Sequence, residues 1–227
     1  MYDTQDQLSA IKEVFKEIPN AKDLYHPKTV LREISNLKNT FISPEKYKSI
    51  AEDEYMLEFY TKYQELLQKN NMLDFDDMIF YVVKIFQEFP LIQEKYSQRY
   101  RYIAIDEYQD TNKVQYLLLK ALSTTHKNIC AIGDVDQSIY SFRGADISNI
   151  MSFEQDFPEA KIIKLEQNYR STQTILDAAN QLISYNENPY AKQMWSANGI
   201  GEKIKIVTVQ SEKREAEYIC EQIKKKV

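Results

Sequence analysis

The sequence predicts an α/β protein in which an all-helical subdomain precedes helices that alternate with the strands of a partial parallel sheet. The apolar residues before Asp74 recur at helical spacing, whereas short apolar runs separated by helical patterns follow it. The chain also has only 4 glycines in 227 residues. A low glycine content is typical of helix-rich chains with few tight turns.

Capping residues indicate the helices of the first part. Thr4 and Gln7 have the spacing of a capping box ahead of the first apolar stripe. Ser43, followed by proline, is expected to open one long helix that continues through Leu66. We therefore expect a subdomain made of helices alone.

Strands and helices alternate in the second part. A helix is predicted first, at 75–86, with Met78, Ile79, Val82 and Phe86 facing inward. Strands are predicted at 102–105, 128–132, 161–165 and 203–208, with helices at 113–122, 172–184 and 212–225. This alternation is typical of βαβ units and a parallel sheet. Cys130 lies in the second strand and is expected to be a small core residue.

Composition narrows the class of protein. The formal net charge of -5 disfavours a free-standing nucleic-acid-binding domain, which is usually basic. The two cysteines form no CxxC pair, so neither a zinc site nor a redox motif is indicated. No apolar run reaches the ~18 residues of a membrane span. We expect a cytoplasmic protein with no membrane partner.

The first candidate motif follows the first predicted strand. Asp106 and Glu107 come directly after an apolar run, which places two carboxylates at the carboxyl edge of a sheet, where α/β proteins bind ligands. Phosphoryl transfer needs one carboxylate to hold Mg²⁺ and another to orient the attacking water. The alternative is a strand that merely ends in an acidic turn.

The second candidate motif follows the next strand. Gln137 has an amide that suits a γ-phosphate or a catalytic water. Tyr140 and Phe142 suit stacking on unpaired bases, and Arg143 suits a phosphate. The alternative is that both aromatic residues belong to the core.

The third candidate motif joins a predicted strand to a predicted helix. Tyr169 suits stacking on adenine, and Arg170 suits stabilisation of charge on a transferring phosphoryl group. The alternative is a capped loop that carries a surface arginine.

These stretches resemble motifs II, III and IV of the superfamily 1 UvrD/Rep/PcrA DNA helicases, in the same order. They read DEYQDT from 106, GDVDQSIYSFRGAD from 133 and LEQNYRST from 165, and LDFDD from 73 resembles a further family motif. The similarity extends through nearly the whole chain and is strongest to the PcrA pattern. That pattern has tryptophan where this chain has Phe142, which leaves a smaller ring without an indole N–H.

The resemblance implies that ATP and Mg²⁺ are cofactors and gives roles to the nucleotide site. Asp106 and Glu107 would form the metal site, with Glu107 also the catalytic base. Gln137 would contact the γ-phosphate and couple it to DNA. Tyr169 would stack on the nucleotide base, and Arg170 would reach the γ-phosphate. Gln137 and Arg170 would be catalytic groups together with Glu107.

The resemblance also implies a DNA-binding surface. Phe75, Tyr140, Phe142 and Arg143 would contact single-stranded DNA. The partners implied for the intact enzyme are single-stranded DNA, DNA junctions and replication or repair proteins. Translocation would run 3′ to 5′.

Three regions follow from the same resemblance. Residues 1–72 would be a helical 1B-like insertion, 73–165 the later part of a first RecA-like domain (1A-like), and 166–227 the start of a second (2A-like). No glycine is followed by lysine, so the phosphate-binding loop GxxxxGK[ST] is not in these 227 residues. We expect an internal fragment of a longer helicase that does not hydrolyse ATP alone.

Two other classes remain open from the sequence. One is a non-catalytic DNA- or protein-interaction module derived from a helicase. The other is a nuclease–helicase subunit of the AddA/RecB kind, although the PcrA-like motif spacing counts against it. The presence of Asp106, Glu107, Gln137 and Arg170 together favours an active helicase.

Overall fold

The computed structural model divides into two compact units, 1–161 and 162–227. It describes residues 1–51, 53–188 and 190–226, with the backbone alone for 22, 143 and 226. Helices and a small parallel sheet make up the described residues, as the sequence predicts. In that part of the chain, no helix is long and apolar enough to cross a membrane.

The first unit begins with a bundle of helices. They are α1 (Thr4–Glu17), α2 (Ala21–Leu24), α3 (Pro27–Asn39), α4 (Pro44–Lys48) and α5 (Glu54–Lys69). The capping box at the start of α1 is formed by Asp3 and Asp6, so the predicted pair of Thr4 and Gln7 is wrong. Asp3 has extended backbone angles and its carboxylate accepts from the amide of Asp6 at 2.9 Å, whereas Thr4 already lies inside the helix.

The long helix predicted after Ser43 is two helices. The Ser43 hydroxyl accepts from the amide of Lys46 and caps α4. Asp53 then caps α5, because its carboxylate accepts from the amide of Met56 at 3.1 Å. A second cap inside the predicted span therefore starts a new helix.

Helices α1, α3 and α5 enclose the main apolar core. Ile11, Ile34 and Phe59 are at most 1% exposed, and the rings of Phe15 and Phe59 lie 4.5 Å apart. Burying a side chain of this size contributes roughly 1.5–3 kcal/mol. The helical part of the unit therefore has its own source of stability.

The second half of the first unit packs helices beside a small sheet. The helices are α6 (Phe75–Glu88), α7 (Pro90–Arg99) and α8 (Lys113–Leu122). The buried stripe of α6 is Asp77, Phe80, Val83 and Phe86. The predicted inward orientation of Phe86 is confirmed, whereas that of Met78 and Val82 is wrong, since they are 49% and 37% exposed. Apolar residues occupy both sides of α6. The buried side is the one that contains Asp77, which pairs with a buried lysine.

Two parallel strands form the sheet in the described part of the chain. Strand β1 (Ile103–Ile105) pairs with β2 (Ile129–Ala131), with Ala104 opposite Cys130, and α8 connects the strands. Cys130 is exposed, so its predicted place in the core is wrong. Alternate residues of a strand face opposite sides, and the side that carries Ala104 and Cys130 is uncovered. Two short helices, α9 (Ser148–Met151) and α10 (Phe153–Asp156), complete this half.

The second unit contains α11 (Gln173–Ile183) and α12 (Glu212–Lys226). Strands are not assigned over 161–165 or 203–208, so both predicted strands are wrong. Their apolar side chains are largely exposed, as Leu165 (77%) and Ile206 (94%) show. An apolar run becomes a strand only where another strand supplies ladder hydrogen bonds and packing.

Candidate functional site

The two predicted motifs of the first unit meet at one edge of the sheet. Parallel strands end at the same edge, so the segments that follow β1 and β2 lie side by side. The amide of Ile132 donates to the carbonyl of Ile105 at 2.8 Å, and the amide of Tyr108 donates to the carbonyl of Ile132 at 2.9 Å. These bonds fix Asp106 and Glu107 next to the loop that begins at Gly133.

Glu107 has an unusual backbone conformation. Its φ of 50° and ψ of 44° are left-handed, which costs a non-glycine residue on the order of 1–3 kcal/mol. The amide of Glu107 donates to Asp106 Oδ1 at 3.0 Å, and both side chains are exposed. Strain of this kind persists where the surroundings hold a residue in place, and it often marks a functional position.

Gln109 links the two motifs and was missed by sequence reasoning. Its side chain is buried, at 1% exposure. Nε2 donates to Glu107 Oε2 at 2.7 Å, and Oε1 accepts from the amide of Asp134 at 3.0 Å. The sequence does show a polar residue two positions after the carboxylate pair, but only the fold shows its hydrogen-bond partners.

Gln137 joins this network through Asp134. The side-chain Nε2 of Gln137 donates to Asp134 Oδ2 at 2.8 Å. Asp134 Oδ1 accepts from the amide of Asp136 at 3.2 Å, which shapes the turn. A continuous path of three hydrogen bonds therefore runs from Glu107 through Gln109 and Asp134 to Gln137, whose side chain is exposed.

The carboxylates of Asp106 and Glu107 fit one kind of metal ion. They are adjacent, exposed and offer hard oxygen ligands. Across 1–51, 53–188 and 190–226, no cluster of three or more metal-ligating side chains is found. Mg²⁺ is commonly held by one or two carboxylates together with waters and substrate phosphates, and this pair suits that arrangement.

A groove in the first unit brings Phe75 and Phe142 together. Their side chains are 53% and 72% exposed, which excludes the core interpretation of Phe142. The groove has a volume of about 440 Å³, and its other lining residues are mainly polar: Arg32, Ser35, Asn36, Asn39, Asp76, Ile79, Asn112 and Gln115. Tyr140 is half-buried, and its ring centroid lies 5.9 Å from that of Phe142. The side chain of Arg143 lies outside the described residues.

Hydrogen bonds tie the base of this groove across three helices. Asn39 of α3 donates through Nδ2 to Asp76 Oδ1 of α6 at 3.2 Å. Its Oδ1 accepts from Nδ2 of Asn112, the cap of α8, at 2.7 Å. The groove is therefore a fixed feature of the packed unit.

The start of α6, where Phe75 lies, is anchored by buried charges. Lys38 Nζ lies 2.6 Å from Asp74 Oδ2 and 2.8 Å from Asp77 Oδ1, and all three side chains are at most 4% exposed. The hydroxyl of Tyr63 also donates to Asp74. Burial raises the pKa of Asp77, although the Lys38 ammonium opposes this effect.

Tyr169 and Arg170 lie on an exposed turn of the second unit. Asn168 Oδ1 accepts from the amides of Arg170 at 2.9 Å and Ser171 at 2.8 Å, which holds the turn. Tyr169 is 79% exposed, and its hydroxyl donates to Gln167. The turn presents a planar ring and a guanidinium close together in the chain.

Comparisons with known proteins relate this chain to one family. Residues 1–158 match the family model of the UvrD/REP helicase N-terminal domain, and residues 163–227 match that of the UvrD-like helicase C-terminal domain. Two proteins named ATP-dependent DNA helicase PcrA, from Staphylococcus epidermidis and Staphylococcus aureus, are each 46% identical over 226 residues. The matches cover 98% of this chain, which spans 31% of the length of either relative. The chain therefore belongs to the UvrD/REP helicase family.

Proposed function

We propose that these residues act within an ATP-dependent DNA helicase that moves 3′ to 5′ on single-stranded DNA during repair or replication. The observation that carries the proposal is the hydrogen-bonded path from Glu107 to Gln137 at the sheet edge, beside Asp106. Such an arrangement suits a site that hydrolyses a phosphoanhydride and changes conformation with the state of the bound nucleotide. Related proteins of 46% identity bear the name of an ATP-dependent DNA helicase.

In the nucleotide site, Asp106 and Glu107 would hold Mg²⁺ together with phosphate oxygens. The bound ion would neutralise charge on the phosphate groups. Glu107 would orient the attacking water and accept its proton. Gln109 keeps one carboxylate oxygen of Glu107 in a fixed position, at 2.7 Å from its Nε2. Gln137, exposed at the end of the same path, would contact the γ-phosphate.

Tyr169 and Arg170 would serve the same reaction. The exposed ring of Tyr169 would stack on adenine, and Arg170 would stabilise charge on the transferred phosphoryl group. Their neighbouring positions on one turn, held by Asn168, support a shared ligand.

The groove of Phe75 and Phe142 would receive single-stranded DNA. Exposed aromatic rings stack on bases of any sequence, and Tyr140 packs near Phe142. Arg143 would contact the DNA backbone. The net charge of -5 supplies little electrostatic attraction, so we expect stacking to provide much of the affinity.

The proposed helicase would contribute three of its regions to this chain. Residues 1–72 would be the 1B-like insertion, 73–165 the 1A-like part and 166–227 the 2A-like part of the helicase. DNA junctions and replication or repair proteins would be further partners of the whole protein.

The test is DNA-stimulated ATP hydrolysis by the complete polypeptide in which these residues occur. Wild-type protein should hydrolyse ATP faster with oligo-dT than without it, and Glu107→Gln should abolish the stimulated rate while still binding nucleotide. A wild-type protein whose ATP hydrolysis does not respond to oligo-dT would count against the proposed function.

A further inference from the structure

We propose that Gln109 is a positioning residue that sets the carboxylate of Glu107 and couples it to the loop that carries Gln137. This inference rests on the proposed function, because it deepens the role of the same site. The coupling would make hydrolysis depend on the position of the loop, and hence on what the loop contacts.

The bonding partners determine the orientation of the Gln109 amide. A carboxylate oxygen of Glu107 can only accept, and the backbone amide of Asp134 can only donate. The amide nitrogen must therefore face Glu107 and the amide oxygen must face Asp134, as the distances of 2.7 and 3.0 Å show. At 1% exposure, Gln109 has almost no access to solvent that would replace either partner. Breaking one bond leaves a buried polar atom unpaired.

Gly133 brings the loop against this amide. A Cβ atom built on Gly133 would lie only 2.8 Å from Gln109 Oε1 and 3.0 Å from Ile150 Cδ1. Any side chain at position 133 would therefore displace either the loop or the Gln109 amide. The requirement for glycine here comes from close approach, because only a hydrogen leaves room for the bond to Asp134.

The hydrogen-bonded path links movement of Gln137 to the position of the Glu107 carboxylate. The Asp134 amide and the Asp134 carboxylate belong to one residue, and they bond Gln109 and Gln137 respectively. A shift of Gln137 that moves Asp134 therefore moves or breaks the bond that holds Gln109. Glu107 then loses the donor that fixes its Oε2 atom. Coupling of this kind requires that the loop has two discrete positions.

The test compares Gln109→Met with Gln98→Met in the complete polypeptide. Methionine has a similar length to glutamine but makes neither hydrogen bond. Gln98 is an exposed glutamine of α7 whose Nε2 donates to Glu94 Oε1 at 3.1 Å, so it controls for the chemical change. The measurements are kcat and KM for ATP at saturating oligo-dT, together with the fraction of molecules that bind nucleotide.

We expect Gln109→Met to lower kcat per nucleotide-binding molecule by about 10²-fold, the effect of a misplaced catalytic group. Its KM should stay within about twofold, because the groups that bind nucleotide are unchanged. Gln98→Met should match wild type. Gly133→Ala should also lower kcat, since it keeps glutamine at position 109 but displaces either its amide or the loop. This variant tests the proposal if Gln109→Met does not fold.

A normal kcat per nucleotide-binding molecule in both Gln109→Met and Gly133→Ala would overturn the proposal. That outcome leaves the proposed function intact, because wild type would still show DNA-stimulated hydrolysis. A wild-type protein without such hydrolysis would overturn both, and the wild-type measurement alone identifies this case.

Discussion

Lys38 and Asp74 form a buried ion pair, with 2.6 Å between Nζ and Oδ2, that joins α3 to the start of α6. Asp74 caps α6 and immediately precedes Phe75, the first aromatic residue of the groove. Asp77 lies 2.8 Å from the same ammonium. The pair therefore connects the helical bundle to the part of the molecule that we propose binds DNA.

Replacing Lys38 by methionine should destabilise the first unit strongly. It leaves Asp74 and Asp77 buried together without a cation, and breaking a buried pair typically costs about 3–5 kcal/mol. Lys62→Met is the matched control, because its pair with Glu17 is exposed (3.1 Å) and such pairs contribute about 0–1 kcal/mol. Chemical denaturation of the 227-residue chain measures both. Equal, small losses for the two variants would show that the buried pair does not anchor α6.

Replacing Phe75 or Phe142 by alanine should weaken binding of single-stranded DNA. Each stacking ring is expected to contribute about 1–3 kcal/mol. Phe89→Ala is the control, since Phe89 is 53% exposed like Phe75 but does not line the groove. Fluorescence titration with oligo-dT at two salt concentrations measures the affinities. Similar losses for Phe89 and the two groove residues would contradict stacking in the groove.

The sequence was sufficient to locate the segments of the candidate site, because strand ends and motif order are local properties. Asp106, Glu107 and Gln137 lie at the predicted sheet edge, and α8 has the predicted bounds, 113–122. The helical first part was predicted for the same reason, since caps and apolar spacing act within one helix.

The sequence was not sufficient where burial depends on a distant partner. Cys130 has the apolar neighbours of a core residue, but its face of the sheet is uncovered. Met78 and Val82 compete with a second stripe of α6, and the choice follows from Lys38 on another helix. Gln109 acquires its importance only when β1 and β2 pair and bring Asp134 within 3.0 Å. The burial or bonding of each of these residues is determined by tertiary packing, which a local sequence pattern does not contain.

Tyr25 should make the stability of the helical bundle depend on pH in the alkaline range. Its hydroxyl donates to Asp53 Oδ2 at 2.6 Å, and this hydrogen bond raises the pKa of Tyr25 to about 12. The folded chain therefore keeps this proton to a higher pH than the unfolded chain, whose tyrosines ionise at about pH 10. The stabilisation is complete below about pH 10 and is lost as the pH rises towards 12.

Denaturation of wild type, Tyr25→Phe and Asp53→Asn at pH 8, 10 and 11.5 tests this sign. Tyr25→Phe should be less stable at pH 8, because it lacks the bond to Asp53, and should lose less on going to pH 11.5. Asp53→Asn can still cap α5, and its stability should likewise fall less than that of wild type between pH 8 and 11.5. A fall in stability as steep as that of wild type in both variants would exclude Tyr25 as its source.

In the complete polypeptide, Gln137→Ala should affect the stimulation of hydrolysis by DNA, and Arg170→Ala should affect the hydrolysis step itself. Loss of Gln137 should lower the DNA-stimulated rate while nucleotide binding stays within about twofold of wild type. Loss of Arg170 should lower turnover by about 10³-fold, as for other arginines that contact a transferring phosphoryl group. Melting temperatures measured beside the rates are the control. If activity falls only in step with the folded fraction, both residues are structural.

The most direct test of the central claim is strand displacement by the complete polypeptide on a short duplex with a 3′ single-stranded tail. With ATP and Mg²⁺, wild type should release the strand and Glu107→Gln should not, whereas a duplex with a 5′ tail should stay largely intact. Release that needs no ATP, or equal release by wild type and Glu107→Gln, would contradict the account.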